Sequence, residues 1–364
     1  MTPRPTATPS AGQGESAIGD AQVLVVGGGV AGATLTYELA RCGIDVLLVE
    51  QGRVAAQGAS SLPAALLNPH RGRTARASAT DLAGIAAFWQ LAEELEADGL
   101  ASGARRSGVL RVPTSGRQAR DWQRLPGPVW LEPQDVPSSY EAPHGAMLIP
   151  DGGWVEPVVL LASLTASAIR HGARVAEGTR VLSLRCDDRG AEVTVSTDAD
   201  KARGTASGTE GGTASAAAPV AAPRAVRAGH VVLCVGAGAV GVRVPRFEHA
   251  AGAAIALDLG ATPPYPLAGS VNAAFVDGRA VVNGGHVPAD ATEPEGLRTA
   301  LARFVPQAQH ARILSTWTGV RVRRTSGVPV ARRLHAHVTL FGAMAGRGFL
   351  TAAWYARRLA TRLG

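Results

Sequence analysis

The stretch VLVVGGGVAGATLTYELARCGIDVLLVE, residues 23–50, decides the fold. Its first four residues read as a strand buried on both faces of a parallel sheet. Gly27, Gly29 and Gly32 then satisfy G-x-G-x-x-G. The first allows a sharp turn, the second lets backbone approach a pyrophosphate, and the third lets a helix pack closely on the strand. Residues 31–42 read as that helix, with Gly43 as its stop. Its N-terminus offers unpaired N–H groups and a partial positive charge to phosphates. DVLLVE is the second strand, and Glu50 falls 23 residues after Gly27. An acid there accepts from both ribose hydroxyls and repels a 2′-phosphate. Strand, glycines, helix, strand and acid in this order predict a dinucleotide site that rejects NADP.

A second match, HVVLCVGAGAVG (230–241), places Gly236, Gly238 and Gly241 after another apolar run, with Asp258 further on. Pro245 falls inside the first turns any following helix would need. VRVPRFEHAAG (242–252) has no amphipathic period either. This reads as a central strand ending in a flexible crossing, not a second nucleotide site.

The remaining chain alternates between helix-like and strand-like patterns. Residues 78–98 carry Leu82, Ile85, Ala86, Trp89, Ala92 and Leu95 at helical spacing, with acids on the other face. Residues 105–150 are Pro-rich with short apolar runs and read as strands and turns. GGWVEPVVLLASLTASAIRHGARV restarts a helix, with Pro157 in its first turn and Gly172 at its end. Short strands are expected at 180–185 and 192–196. Residues 198–228 hold almost no large apolar side chain and are expected to be a disordered insertion. Strand-like runs to residue 287, a helix near 294–304, two more strands and a C-terminal helix complete the chain.

Composition bounds the function classes. Of 364 residues, 46% are hydrophobic, enough for a real core, and no apolar run is long enough to span a membrane. The first twenty residues lack the apolar middle of a signal peptide and read as a disordered tail of a cytoplasmic protein. Cys42, Cys186 and Cys234 lie too far apart to suggest a disulfide framework or a metal site. His335 and His337 alternate on one expected strand with no third ligand, so no metal is expected. His249 and His286 are placed to reach an active site or to serve the fold. The net charge of +7 rests almost wholly on arginine, since Lys201 is the one lysine. It reflects either compositional bias or a footprint for a polyanion such as tRNA. Arg321, Arg323, Arg324, Arg332 and Arg333 cluster in sequence.

With these residues in place, the sequence resembles the D-amino-acid oxidase-like (DAO) superfamily of FAD-dependent amine oxidoreductases. GASSLPAALLNP (58–69) is similar to the segment that follows the second strand and lies along the flavin, and GGWVEP (152–157) to the segment before the third. WTGVRVRRTSGVP (317–329) resembles the family's Gly-x-Arg turn, whose arginine binds the substrate carboxylate; here that is Arg321. GAMAGRGFL (342–350) and FVPQAQ (304–309) look more like the MnmC oxidase domain than like glycine oxidases, the two branches this chain most resembles. Ser326 stands where the family usually has Asp, and Arg332 where Gly is common. The methyltransferase that accompanies the MnmC oxidase domain has no counterpart in the matched stretch.

The resemblance implies an α/β fold. An FAD-binding, Rossmann-like domain of glutathione-reductase type is expected over residues 21–69, 146–245 and 334–364, after a tail at 1–20. A sheet-bearing substrate domain is expected over 70–145 and 246–333. It implies FAD contacts from Gly27, Gly29, Val30, Ala31, Gly32, Glu50, Gln51, Ala59, Ser60, Ser61, Val181 and Gly236. Gly346, Arg347, Gly348, Phe349 and Leu350 are expected to aim the start of the last helix at the flavin pyrimidine edge. The implied activity is oxidation of a C–N bond in an amino acid or N-substituted glycine, including the carboxymethylaminomethyl group of a tRNA wobble uridine. Two alternatives stand beside it: a free amino-acid oxidase or dehydrogenase with no RNA partner, and a flavin-binding protein without catalysis.

Overall fold

The computed structural model describes residues 18–56, 58–197, 223–238, 245–284, 293–324 and 326–364. The opening stretch folds as a β-α-β unit: β1 (Ala21–Val26), α1 (Val30–Arg41) and β2 (Val46–Val49). α1 starts and ends one residue earlier than the spacing predicts. Gly43 ends it at φ 73°, a left-handed conformation that suits glycine.

Next come β3 (Ala65–Leu67), the long helix α2 (Ala79–Ala97), β4 (Ala104–Arg105) and β5 (Val109–Arg111). A short helix α3 (Gly116–Trp122), β6 (Val129–Leu131), β7 (Ala146–Ile149) and β8 (Gly153–Val155) follow. Then α4 (Pro157–Arg170) leads into β9 (Arg174–Ala176), β10 (Arg180–Asp187), β11 (Gly190–Ser196) and β12 (Arg224–Leu233). β13 (Glu248–Asp258), β14 (Leu267–Ala268), β15 (Val271–Val276) and β16 (Arg279–Gly284) precede α5 (Pro294–Ala302). The last elements are β17 (Arg312–Arg323), β18 (Val330–His335), β19 (Val338–Gly342) and α6 (Gly348–Leu363).

The strands form two large sheets and a small one. The first runs β10–β11–β12–β1–β2–β9, and β19 pairs in parallel with the end of β12, carrying β18 beside it. The second runs β17–β13–β16–β15–β14–β5–β7–β6, and β3–β8–β4 form the third. One face of the first sheet is covered by helices. Leu35 and Leu39 of α1, Phe88 and Leu95 of α2, Leu161 of α4 and Ala356 of α6 pack there with Val23, Val25, Val46 and Leu48. On the other face Leu24, Leu47 and Val49 meet Val193, Val226 and Val338. Burial on both faces is why β1 and β2 are unbroken apolar runs. In the second sheet, Leu297 and Leu301 of α5 cover Ile255, Leu257 and Val282.

Several expectations need correction. Residues 224–228, expected inside a disordered insertion, form the first half of β12, in register with β11 and with Val226 paired to Val193. Residues 18–20, expected in the tail, are packed: Ile18 is buried, and an Asp20 carboxylate oxygen accepts from the Arg227 N–H at 2.8 Å. β7, which falls in the stretch read as the nucleotide domain, hydrogen-bonds to β5 and β6 in the second sheet. β18, whose first residues fall in the stretch read as substrate domain, pairs with β19 in the first.

Helix α3 was missed in the Pro-rich region. Ser115 caps it by accepting from the Gln118 N–H at 3.2 Å, and the Gln118 side chain accepts from the Thr114 N–H at 2.8 Å. That S-x-x-Q spacing is a variant of the capping box, legible in the sequence. The buried face of α2 is rotated from the one read: Leu82 and Ala86 are exposed while Asp81 turns inward. Three strands, not two, follow α5, and His337 lies in the turn after His335 rather than on its strand. Residues 1–17 of the tail, 198–222 of the insertion, Gly241 and His286 lie outside the described residues.

Candidate active site

The C-terminal ends of β1, β2 and β12 lie side by side, with Val26 level with Val49 and Leu233. Ligands of open α/β sheets bind at that edge. There Gly27 turns at φ 103°, and a Cβ on it would stand 2.6 Å from the Cys234 carbonyl oxygen of the β12 end. A Cβ on Gly32 would lie 1.8 Å from the Gly27 carbonyl oxygen, so glycine alone allows α1 to approach its own strand this closely. Gly29 is different: its added Cβ would meet only the Ser60 side chain, Oγ at 3.2 Å. That side of the loop is open for backbone to approach a pyrophosphate.

No side chain caps α1 at Gly29 itself. Instead Ser60 Oγ accepts from the Val30 N–H at 3.0 Å, and the next N–H groups, of Ala31 and Gly32, belong to the helix end without intrahelical acceptors. Ala59, Ser60 and Ser61 sit in a single helical turn, Gly58–Ser61, laid against this end. Glu50 accepts from the Gly28 N–H at 2.6 Å and the Gly52 N–H at 3.0 Å, one bond to each carboxylate oxygen. Each oxygen of Glu50 keeps a further lone pair free for another donor. Gln51 is exposed next to it. The Thr179 N–H donates to the Glu50 carbonyl at 2.8 Å, which brings the start of β10 and the buried Val181 to the same corner. Gly236, at φ 56°, is in the turn that leaves β12 beyond Cys234. This glycine cradle, carboxylate and free helix end fit the ADP half of FAD.

A cavity of about 640 Å³ opens between the second sheet, the segment 68–76 after β3 and the turn before α6. Its floor includes Leu66 of β3 with Asn68, and its walls include β13, β17 and the turn before α6. Trp317, Gly319 and Arg321 alternate along β17 and therefore share one face. The Trp317 ring lies over Gly319, where an added Cβ would stand 2.4 Å from it. The Trp317 indole N–H donates to Ser61 Oγ at 3.1 Å, tying the second sheet to the Gly58–Ser61 turn. Arg321 is half-buried, and glycines surround it: added Cβ atoms on Gly252 and Gly346 would lie 3.2 Å from its Nη2 and 3.5 Å from its Nη1. Burial, then repulsion from Arg323, lowers its pKa from the ordinary arginine value.

The turn before α6 is strained. Ala343 and Ala345 take φ of 53° and 52°, left-handed conformations unusual for alanine. They carry Gly346 to the cavity wall. Gly348 opens α6 within reach of α1, a Cβ there being 3.0 Å from Val30 Cγ1. Phe349 and Leu350 send their side chains into the core. Arg347 turns to α2: it lies 3.4 Å from Asp81 and donates to the Gly327 carbonyl. His249 is exposed on β13, away from the cavity lining. Arg323, exposed at the cavity rim, pairs with Glu248 at 2.7 Å.

Two arginines that sequence reasoning passed over also line the cavity: Arg71 and Arg111. Burial is the first cause, and each is pushed down to about 10, Arg111 also by Arg71 beside it. Arg111 donates to the carbonyls of His70 at 2.7 Å and Gly72 at 2.8 Å, with its guanidinium 4.5 Å from the Trp122 ring centroid. The available signal was HRGR, which follows directly on the flavin-like segment ending at Pro69. Among the described lining residues six arginines face one acid, Asp81. Among the described residues no helix is long and apolar enough to cross a membrane, and no three His, Cys, Asp or Glu side chains gather as a metal site.

Residues 22–362 match the family described as FAD dependent oxidoreductase, DAO. Over 349 residues the chain is 29% identical to the tRNA 5-methylaminomethyl-2-thiouridine biosynthesis bifunctional protein MnmC of Maricaulis maris (strain MCS10), covering 94% of this chain and 52% of that protein. It is 33% identical over 184 residues to a glycine oxidase of Geobacillus kaustophilus (strain HTA426), 46% of this chain and 48% of that one. The chain spans about half the length of these curated relatives. The crystal structure of the Geobacillus kaustophilus glycine oxidase matches with a TM-score of 0.75 at 21% identity, over 95% of each chain. That of iminodiacetate oxidase (IdaA) from Chelativorans sp. BNC1 matches at 0.71 and 24%, over 93% of this chain and 94% of that one. At those identities the two structures speak for the fold. The family match runs from the first strand to the last helix, across the glycine cradle, Glu50, Arg321 and the turn before α6, and so the chain belongs to the FAD dependent oxidoreductase (DAO) family, with FAD as its cofactor.

Proposed function

We propose that this protein oxidises a C–N bond of an amino acid or N-substituted glycine whose carboxylate is held by Arg321. The observation behind this is the setting of Arg321. Its half-buried guanidinium faces the cavity among glycines, and its hydrogen bond is a long one, 3.5 Å to the Gly284 carbonyl. A planar fork in such a place suits two parallel bonds to a carboxylate. In this reading the first sheet with its helices is the FAD domain and the second sheet the substrate domain. The backbone of Gly27–Gly32 with Ala59–Ser61 holds the pyrophosphate, Glu50 and Gln51 the ribose, and Val181 and Gly236 border the adenosine and pyrophosphate. Backbone groups of Gly346–Leu350 meet the flavin edge.

When bound, FAD supplies the acceptor for a hydride from the carbon next to the substrate nitrogen, and the imine so formed takes up water to give a carbonyl compound and an amine. The chain's own part is binding and orientation. Asp81, the one acid among the described lining residues, is engaged by Arg347 and by the Ser78 hydroxyl at 2.8 Å, so it is not a free base. The surplus of guanidinium groups disfavours an ammonium ion in the cavity. The amine therefore enters neutral, with the lone pair that hydride loss requires.

A second reading carries the substrate on tRNA. The MnmC relative, matched over 94% of this chain, supports it, as do Arg323, Arg324, Arg332 and Arg333, exposed on the strands and loop that lead from the cavity rim. One panel tests both: anaerobic bleaching of the flavin by glycine, sarcosine, iminodiacetate, and tRNA bearing a carboxymethylaminomethyl uridine. Reduction by a small amine at a rate indifferent to salt selects the free-substrate enzyme. Reduction by tRNA alone, weakening steeply with salt, selects the tRNA reading. A protein that no member of the panel reduces is a flavin-binding protein without this activity.

A further inference from the structure

The charge on the cavity wall exceeds what one carboxylate can answer. Arg323 is paired with Glu248 and Arg347 with Asp81, which leaves Arg71, Arg76, Arg111 and Arg321 without an ion pair among the described residues. Arg76 is exposed and Arg111 is engaged on backbone carbonyls, so Arg71 and Arg321 are the two that face the cavity uncommitted. Arg71 is the more extreme. Its Nε is shut from solvent with no hydrogen-bond acceptor. Its Nη1 would lie 4.0 Å from a Cβ on Gly346, the same point that Arg321 Nη1 approaches at 3.5 Å. The two guanidinium groups thus flank one small volume from different elements.

The position of Arg71 is built. Arg111 grips the carbonyls of the residues on either side of it, His70 and Gly72, and so fixes the loop with one cation while a second projects from it. Setting two like charges together under partial burial is costly unless an anion completes the group. The Asp81 charge acts on Arg71 with no ion pair between them, because Arg347 and Ser78 hold that carboxylate.

We propose that Arg71 is a second anion-gripping residue and that the substrate is an amine bearing two acid groups, one held by Arg321 and the other by Arg71. This rests on the assignment of the cavity as the amine site. A mono-acid amine leaves Arg71 unanswered and binds more weakly. Arg111 is a positioning residue for Arg71.

The test uses two ligands that cannot be oxidised at nitrogen, diglycolate and methoxyacetate, which differ by one carboxylate. Binding to the FAD-loaded protein is read from perturbation of the flavin spectrum. Diglycolate should bind tighter by roughly tenfold to a hundredfold, the weight of one charge-assisted hydrogen-bonded contact. Arg71→Gln should abolish that preference and leave methoxyacetate affinity and FAD content unchanged, whereas Arg321→Gln should weaken both ligands. Arg71→Lys, which keeps the charge, should retain part of the preference and guards against a variant that fails to fold. Equal affinity for the two ligands in the parent protein overturns the proposal. So does an Arg71→Gln variant that weakens both equally or loses FAD, the latter marking Arg71 as a cofactor contact. A diacid preference with no amine able to reduce the flavin upholds Arg71 and defeats the oxidase reading. Reduction by sarcosine or by tRNA without a diacid preference does the reverse.

Discussion

Arg347, the residue before α6, spans to Asp81 in the first turn of α2 at 3.4 Å, with side chains only 12% and 8% exposed. The pair joins the two helices that flank the cavity. The Arg347 side chain is thereby committed to the scaffold, which leaves only its backbone for the flavin edge in the proposed reading. Arg347→Ala should therefore destabilise the fold by about 3 kcal/mol, because it strands a buried carboxylate. The FAD dissociation constant should stay within about threefold. Urea midpoints and flavin titration of the same preparations separate the two effects; unchanged stability with lost FAD would make the Arg347 side chain itself a cofactor contact.

The fingerprint glycines should fail in different ways. Gly32→Ala forces a methyl to 1.8 Å from the Gly27 carbonyl oxygen and should prevent the β-α-β unit from forming. Gly29→Ala meets only the Ser60 hydroxyl at 3.2 Å, so the fold should survive while FAD affinity falls by roughly tenfold or more. Circular dichroism with flavin content distinguishes a lost fold from a blocked site.

Arg321→Ala removes the fork and leaves a substrate carboxylate unpaired in a partly desolvated cavity. A loss of roughly 2–5 kcal/mol is expected, about 30-fold to several thousand-fold in flavin reduction at low substrate. Lysine should restore little, since a point charge does not reproduce two parallel bonds. Anaerobic stopped-flow reduction reads this out. A variant as fast as its parent would make Arg321 a bystander.

Val226 tests the start of β12. It is 1% exposed and packed in the second core, so Val226→Ala should cost about 2 kcal/mol in thermal or urea unfolding. A residue in a disordered insertion would cost nothing.

Stability should also depend on pH through His230. Burial first, then repulsion from Arg333 and His337, lowers it from 6.5 to about 4. The unfolded chain therefore binds the proton first on acidification. The stabilisation from a neutral His230 is complete above pH 6.5 and is lost progressively as pH falls toward 4. His230→Gln should flatten that decline in urea midpoints measured from pH 7 to 4.5, roughly the span of an ordinary histidine titration.

The nucleotide half was legible because its requirements are local. Three glycines, a strand and an acid at fixed spacing answer to one ligand, and the structure places them together. Arg321 was singled out by the Gly-x-Arg pattern, and the structure sets it within β17 on the cavity wall. Arg71 was not, because its role depends on Arg111, distant in sequence, gripping the carbonyls on either side of it. The start of β12 was hidden for another reason. Its inward positions, Val226 and Ala228, carry small side chains that leave a weak alternation among arginine and glycine. The inward turn of Asp81 was invisible as well, since an acid in a first helical turn usually faces solvent and serves the helix dipole.

Trp317 and Arg321 stand roughly 13 Å apart on one face of a single strand. One is bonded to the Gly58–Ser61 turn, and the other lines the cavity. In the proposed reading, loading and capture would become a single linked equilibrium. The two ligands would share one strand, and the factor by which FAD tightened the substrate would be the factor by which substrate tightened FAD. An enzyme built that way would hold its cofactor most firmly while working and release it most readily when starved.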